Sequence, residues 1–151
     1  MQTRRKTLQH SAVVAGLLAN AGLCPQYAFA FNAPAFEAKN LTDALKALGA
    51  GAPQASKDVV ITAPDIAENG AVVPIAAATT LPGVKQLLLL VEKNPAALVA
   101  VFNVTDAVEA NLLTRAKMGQ SSDVYAVAIM NDGKVLFAKK EVKVTLGGCG
   151  G

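Results

Sequence analysis

The sequence predicts a mainly β fold, an antiparallel β-sandwich of the immunoglobulin type with a short N-terminal helix and a flexible C-terminal arm. Short runs rich in β-branched residues recur at the interval typical of sandwich strands, and turn-forming residues separate them. Hydrophobic residues make up 52% of the 151-residue chain, which is ample for one core. Aromatic residues are few, so we expect Val, Ala, Leu and Ile to fill most of that core.

The first predicted element is a helix from Thr42 to Leu48. Leu41, Leu45 and Leu48 fall on one face at helical spacing. Thr42 is placed to cap the free amides at the start of the helix, and Gly49 is placed to adopt the left-handed turn that ends it.

The predicted strands follow the helix, and each is an apolar run between turn formers. They are Asp58 to Thr62, Ala71 to Ala76, Lys85 to Glu92, Leu98 to Val104, Asn111 to Met118, Val124 to Met130 and Lys134 to Leu146. Leu87 to Val91 is apolar on both strand faces, so the run is either central in the sandwich or partly covered by another protein. The part from Leu87 to Leu90 is therefore a candidate partner surface.

The last two strands are predicted to form a hairpin. Asp132-Gly133 tolerates the positive φ angles of a tight turn. Apolar and polar residues alternate along the second strand, with its apolar positions at Val135, Phe137, Val142 and Val144. The alternation slips around Lys139 and Lys140, which indicates a bulge or a bend.

The N-terminal residues 1–30 have the order of a secretory signal. A cationic start at Arg4-Arg5-Lys6 precedes an apolar run from Ala12 to Leu23, which is too short to cross a bilayer as a stable helix. Ala28-Phe29-Ala30 supplies the small residues of a cleavage site, so we expect a mature chain that begins at Phe31. Leu23 stands where a lipoprotein signal needs a small residue, so we expect Cys24 to be removed with the signal.

The segment from Thr3 to Gln9 resembles the twin-arginine export motif, with Thr7 where that motif usually has Phe. The alternative is a general secretory signal that carries adjacent arginines. Because of the resemblance to the twin-arginine motif, we expect a periplasmic protein exported by the twin-arginine route.

Removal of residues 1–30 changes the net charge of the chain and its content of metal-binding and catalytic side chains. It deletes three of the 14 basic residues and none of the 11 acidic ones, so neither nucleic acid nor membrane is an expected partner. It also deletes His10, the only histidine. We expect no metal site and no resident cofactor, because zinc, haem and copper sites draw on His and Cys and a Cys-His nucleophile needs an imidazole base.

The last five residues, Gly147-Gly148-Cys149-Gly150-Gly151, are the most informative feature. Glycine loses the most backbone entropy on ordering, so we expect a mobile arm that extends to roughly 17 Å. Such an arm suits the delivery of a thiol into a narrow pocket of another protein. The alternative is a structural intermolecular disulfide at Cys149, for which a flexible tether gives little advantage.

Lys143 to Gly151 resembles the C-terminus of the SoxY family, the sulfur-carrier subunits of the periplasmic Sox thiosulfate-oxidising system, and Ile66 to Pro74 resembles another segment of that family. The resemblance implies an immunoglobulin-like subunit that pairs with a SoxZ-like sister subunit and carries covalent sulfur intermediates on Cys149. It also implies three enzymatic partners, namely a haem enzyme that conjugates thiosulfate, a hydrolase that releases sulfate and a sulfur dehydrogenase. The carrier itself is then not an enzyme.

Read without the resemblance, Glu68-Asn69-Gly70 predicts a hairpin turn between strands, and Pro74 predicts an edge strand or a bulge. Two other functions remain as alternatives. A ubiquitin-like sulfur carrier also ends in Gly-Gly, but it needs ATP-dependent activation and would leave Cys149 without a role. An independent thiol enzyme would need a base that the mature chain lacks.

Overall fold

The computed structural model describes residues 32–145, and within them two helices precede nine strands. The helices are α1 (Ala33–Glu37) and α2 (Leu41–Ala47). The strands are β1 (Pro53–Ala55), β2 (Val59–Thr62), β3 (Ile66–Ala67), β4 (Val73–Thr79), β5 (Val84–Val91), β6 (Leu98–Asn103), β7 (Asn111–Ala116), β8 (Ser122–Met130) and β9 (Val135–Val144). Neither helix in this part of the chain is long and apolar enough to cross a membrane.

The prediction of a mainly β sandwich is confirmed. The seven predicted strands correspond to β2 and to β4 through β9, and their ends differ from the observed ones by no more than three residues. The short strands β1 and β3 were not predicted, because three and two residues are too few to show a periodic pattern. The predicted export signal at residues 1–30 lies outside the described residues, so that boundary stays a prediction.

The predicted helix is present as α2, but the residue that caps it is Asn40 and not Thr42. The Oδ1 atom of Asn40 accepts a hydrogen bond from the backbone N–H of Asp43 at 2.9 Å, while Thr42 lies inside the first turn. Asparagine is among the strongest N-capping residues, and it stands directly before the helix. Gly49 follows the helix with a φ of 69°, the left-handed conformation that the sequence predicted.

Helix α1 was not predicted, because its five residues are too few for helical periodicity. Asn32 caps it, with Oδ1 accepting from the backbone N–H of Ala35 at 3.1 Å. The Nδ2 group of the same side chain donates to the carbonyl of Ala47 at 2.9 Å. This one asparagine therefore ties the start of α1 to the end of α2.

The larger sheet has the order β1-β9-β8-β5-β6, and β3 also pairs with β9. The pairs β5–β6, β5–β8 and β8–β9 are antiparallel, as predicted. The short strands β1 and β3 lie parallel to β9, on its other edge. The smaller sheet is antiparallel, in the order β2-β4-β7.

Two cores lie on opposite faces of the larger sheet. Leu87 and Leu89 of β5 pack between the two sheets, whereas Leu88 and Leu90 pack against α1 and α2. All four leucines are at most 1% exposed. The central position predicted for this run is confirmed, and its alternative as a partner surface is wrong because the chain's own helices cover it.

The β8–β9 hairpin is confirmed. The backbone N–H of Gly133 donates to the carbonyl of Met130 at 3.0 Å, and Gly133 has a φ of 87°. No bulge occurs at Lys139 and Lys140, because the β8–β9 register runs unbroken from one end to the other. The face of β9 that packs between the sheets does so along the whole strand, from Leu136 to Val144, whereas the opposite face packs toward the helices only as far as Phe137.

The predicted hairpin turn at Glu68-Asn69-Gly70 is wrong. The strands that flank it do not pair with each other, since β3 pairs with β9 and β4 pairs with β2 and β7. Asn69 instead forms a local turn, in which its Oδ1 accepts from the backbone N–H of Ala71 at 2.8 Å. The predicted edge strand or bulge at Pro74 is wrong, because β4 is the central strand of the smaller sheet and its register with β7 is unbroken. Pro74 fits there because β2 reaches only to Ala76, so at Pro74 only β7 pairs with β4.

Candidate functional site

The predicted carrier residue Cys149 lies outside the described residues, together with the arm glycines Gly147, Gly148, Gly150 and Gly151. Their roles therefore stay a prediction. The structure describes the residues from which this segment continues, at the end of β9. We define the arm root as residues 143–145.

Four hydrogen bonds to two different segments, residues 65–68 and Ser121, fix the arm root. The backbone N–H of Lys143 donates to the carbonyl of Asp65 at 3.0 Å, and the backbone N–H of Thr145 donates to the carbonyl of Ala67 at 3.1 Å. The Thr145 hydroxyl donates to the carbonyl of Glu68 at 3.0 Å. From the other side, the backbone N–H of Val144 donates to Oγ of Ser121 at 2.9 Å. The end of β9 is therefore held in a fixed position.

Two loops that flank the root are joined to each other. The backbone N–H of Met118, in the β7–β8 loop, donates to the carbonyl of Gly70, in the β3–β4 loop, at 2.7 Å. Met118 is fully buried, so this connection belongs to the core between the sheets. The arm root therefore lies between these two loops.

The structure brings together the two segments that carry the family resemblance. Thr145 and Glu68 are 77 residues apart in the chain, yet their side chain and carbonyl form a direct hydrogen bond. The sequence analysis singled out both segments but did not predict that they meet. No local pattern reveals this contact, because it depends on the parallel pairing of β3 with β9.

The sequence analysis also missed the exposed apolar side chains near the root. Ile66 is 58% exposed and Val72 is 57% exposed. Ile66 is the register partner of Lys143, and Val72 directly precedes β4. Ile66 could have been identified in the sequence as a lone β-branched residue in a stretch that is too polar for a buried strand.

The lysines of β9 differ in their charge partners. Lys139 donates to Asp123 at 3.0 Å, and this hydrogen bond raises the pKa of Lys139 above its usual value. Lys140 contacts Asp65 at 2.9 Å and also donates to the carbonyl of Ala63 at 2.6 Å. Lys143 has no ion pair within residues 32–145 and is exposed. The arm root therefore carries one unpaired positive charge on its own strand.

The described residues around the arm root assemble no metal-binding cluster. Within residues 32–145, no group of three or more His, Cys, Asp or Glu side chains is placed to hold a metal ion. A cleft in this part of the chain has a volume of about 680 Å³ and lies at the opposite end of the sandwich. The β4–β5 and β6–β7 loops line it, and no residue of the arm root is part of its lining.

Comparisons with known proteins support the family resemblance. The sequence profile of the family "Sulfur oxidation protein SoxY" matches residues 44–149. The solved structure of the sulfur carrier protein SoxY from Chlorobium limicola f thiosulfatophilum is 33% identical, with 68% of this chain and 92% of that chain covered and a TM-score of 0.61. No curated protein sequence matches the chain.

A more distant likeness concerns the fold alone. A variant of the superoxide reductase neelaredoxin from Ignicoccus hospitalis is 18% identical, with 57% of this chain and 78% of that chain covered and a TM-score of 0.51. Identity at this level shows a shared β-sandwich and nothing about the reaction. The profile match and the 33% identical structure agree with each other, and the chain belongs to the SoxY family of sulfur carriers.

Proposed function

We propose that this protein carries covalent sulfur intermediates on Cys149 during thiosulfate oxidation and presents them to partner enzymes. Membership of a family of sulfur carriers supports the proposal, and Cys149 is the last residue of the segment that the family profile matches. The anchored root supports it as well, because Thr145 is held four residues before Cys149. A fixed root lets a short segment deliver its thiol to a defined region.

The proposed loading step joins the Cys149 sulfur to thiosulfate. The S–H bond breaks and a sulfur–sulfur bond forms to the outer sulfur of thiosulfate, which gives a cysteine thiosulfonate, one proton and two electrons. A haem enzyme accepts the two electrons. A hydrolase then adds water across the bond between the sulfane and sulfone sulfurs, which releases sulfate and one proton and leaves a cysteine persulfide.

The carrier is the substrate in these steps, and its partners are the catalysts. After removal of residues 1–30 the chain has no histidine, so its own supply of general bases near neutral pH is small. A sulfur dehydrogenase is a third partner, which oxidises the remaining sulfane sulfur. A SoxZ-like sister subunit completes the carrier, as the family resemblance implies.

We place this chemistry in the periplasm, reached by the twin-arginine route. Intact mass measurement of the exported protein tests this placement, and we expect a chain that begins at Phe31. Replacement of Arg4 and Arg5 by lysine should leave the uncleaved precursor inside the cell. Export of that variant at the normal rate would contradict the twin-arginine route without affecting the carrier role.

The carrier role is tested by the intact mass of the mature protein before and after incubation with thiosulfate and periplasmic extract. We expect wild-type protein to gain a thiosulfonate or persulfide that a reductant removes, and Cys149→Ser to gain nothing. An unmodified wild-type chain would contradict the proposal. A covalent dimer that Cys149→Ser abolishes, with thiosulfate oxidation unchanged, would establish the structural disulfide instead.

A further inference from the structure

We propose that Thr145 is the pivot of the Cys149 arm, a positioning residue whose two hydrogen bonds limit how far the carrier thiol can reach. This inference rests on the proposed carrier function and adds to it the residue that sets the reach of the thiol. Four peptide units separate Thr145 from Cys149, so their Cα atoms lie at most about 14 Å apart.

Thr145 is held by its backbone and by its side chain at the same time. Its N–H donates to the carbonyl of Ala67 at 3.1 Å, and its hydroxyl donates to the carbonyl of Glu68 at 3.0 Å. The last register pair of β3 with β9 joins Ala67 to Val144. The two bonds of Thr145 therefore extend the hold on β9 by one residue past the paired part of the strand.

The segment that accepts these two bonds is itself anchored to β9. The Nζ group of Lys140 donates to the carbonyl of Ala63 at 2.6 Å and forms an ion pair with Asp65 at 2.9 Å. The backbone N–H of Lys143 donates to the carbonyl of Asp65 at 3.0 Å. Residues 63–68, called the clasp below, are thus a fixed support for the end of β9.

The sequence provides no further side-chain anchor between the clasp and the thiol. Leu146 is apolar, and Gly147 and Gly148 have no side chain. Thr145 is therefore the last residue before Cys149 whose side chain can donate a hydrogen bond. Control of the arm by side-chain contacts of this kind ends at Thr145.

A fixed pivot confines the thiol to the neighbourhood of the clasp. An enzyme that reacts with Cys149 must then open its pocket within about 14 Å of Thr145. Without the bonds of Thr145 the hold would retreat to Val144, whose backbone N–H donates to Oγ of Ser121 at 2.9 Å, and the reach would rise to about 17 Å. The shorter tether gives the thiol a higher effective concentration at a pocket beside the clasp.

Two exposed positions on β9 can measure this reach. Glu141 and Lys139 lie on the same face of the strand, four and six residues before Thr145, which corresponds to about 13 Å and about 20 Å. A disulfide adds about 6 Å between Cα atoms. An arm held at Thr145 therefore reaches position 141 readily and position 139 only when it is fully stretched, whereas an arm held at Val144 reaches both.

The test compares Glu141→Cys with Lys139→Cys in the mature protein, where Cys149 is the only native cysteine after removal of residues 1–30. Intact mass under oxidised glutathione, at low protein concentration, gives the rate of the intramolecular disulfide with Cys149. With Thr145 present, we expect position 141 to react about tenfold faster than position 139. Thr145→Val keeps the side-chain shape without the hydroxyl and should raise the rate at 139 about fivefold, with less than about a twofold change at 141. Thr145→Ser keeps the hydroxyl and should retain the wild-type rates.

The possible outcomes separate the pivot from other causes. Lys139→Cys also removes the ion pair with Asp123, but every Thr145 variant compared at that position shares this change. Equal rates at the two positions in the wild-type background, slow rates at both, or an unchanged rate at 139 in Thr145→Val would overturn the pivot. Adduct formation with thiosulfate and periplasmic extract is measured separately. A chain that forms no adduct would overturn the carrier function and leave the measured reach unaffected.

Discussion

The outer faces of the two sheets differ in what covers them. On the larger sheet, Leu88 and Leu90 are buried beneath α1 and α2. On the smaller sheet, Val60 is 50% exposed and Leu113 is 72% exposed, with no element over them within residues 32–145. One sheet is thus an interior layer, and the other is a surface layer.

The burial pattern along a strand shows whether one face or both faces of its sheet are covered. Strand β5 is buried at its last five positions without a break, and β8 is buried at eight of its nine positions. Strand β4 alternates between buried positions and exposed or half-buried ones along its whole length. A strand with one covered face needs apolar side chains at every second residue, whereas a strand with two covered faces needs them throughout.

The largest effect is expected for Leu88→Ala, which opens a cavity between the larger sheet and the helices. Leu88 has no exposed surface, and removal of buried methyl groups at such a site costs about 3 kcal/mol of unfolding free energy. The loss is measured by urea denaturation of Leu88→Ala and of its matched control, Leu113→Ala. We expect that control to change stability by less than about 0.5 kcal/mol. Equal losses in the two variants would mean that the outer face of the smaller sheet is covered too.

The helix cover is tested separately by Leu45→Ala. Leu45 is 2% exposed and belongs to the same core as Leu88, so we expect a loss of about 2 to 3 kcal/mol in urea denaturation. Leu45 is chosen because the other buried residue of α2, Ala44, has no larger side chain to remove. A loss below about 0.5 kcal/mol would show that α2 contributes little to the covered face.

A smaller effect is expected at the N-cap of α2. Asn40→Ala removes the acceptor of the Asp43 backbone N–H and should cost about 1 kcal/mol, whereas Thr42→Ala should cost nothing, because alanine has the higher helix propensity. Thermal unfolding of the two variants side by side distinguishes the observed cap from the one that the sequence predicted. A larger loss for Thr42→Ala would restore the original assignment.

The smallest effect concerns Tyr125, at the margin of the helix-covered face. Burial, and after it the Glu92 carboxylate, raises the pKa of Tyr125 above its ordinary value of 10.0. The folded state thus holds the phenol proton more tightly than the unfolded state, so this contribution to stability is complete below pH 10 and is lost as the pH rises through the folded pKa.

Tyr125 is the only tyrosine after residue 30, so the tyrosinate absorbance of a chain without residues 1–30 reports on it alone. We expect the folded protein to titrate at higher pH than the same chain in denaturant. Stability should also fall less steeply above pH 10 in Tyr125→Phe. Coincident titrations in the folded and denatured chains would contradict a buried phenol.

The predicted site shows the limits of local patterns. The carrier residue Cys149 was predicted from composition and family resemblance, and these say nothing about its surroundings. The hydrogen bond between Thr145 and Glu68 depends on two segments 77 residues apart, and no periodicity within either segment reports on it. The exposed Ile66 was missed for the same reason, because it is placed beside β9 only by tertiary pairing.

The sequence by itself determined the strand content, the one longer helix, the Asp132-Gly133 hairpin and the candidate carrier residue. Each of these depends on neighbours in the chain: alternation of side chains, a residue that accepts a positive φ, or a cysteine among glycines. Only the tertiary structure decided that α1 and α2 cover Leu88 and Leu90, that β9 loses its cover on the helix side after Phe137 without a bulge, and that β3 anchors the arm root. These features follow from which surfaces meet, because burial of apolar area and pairing of backbone groups are satisfied between segments far apart in the chain.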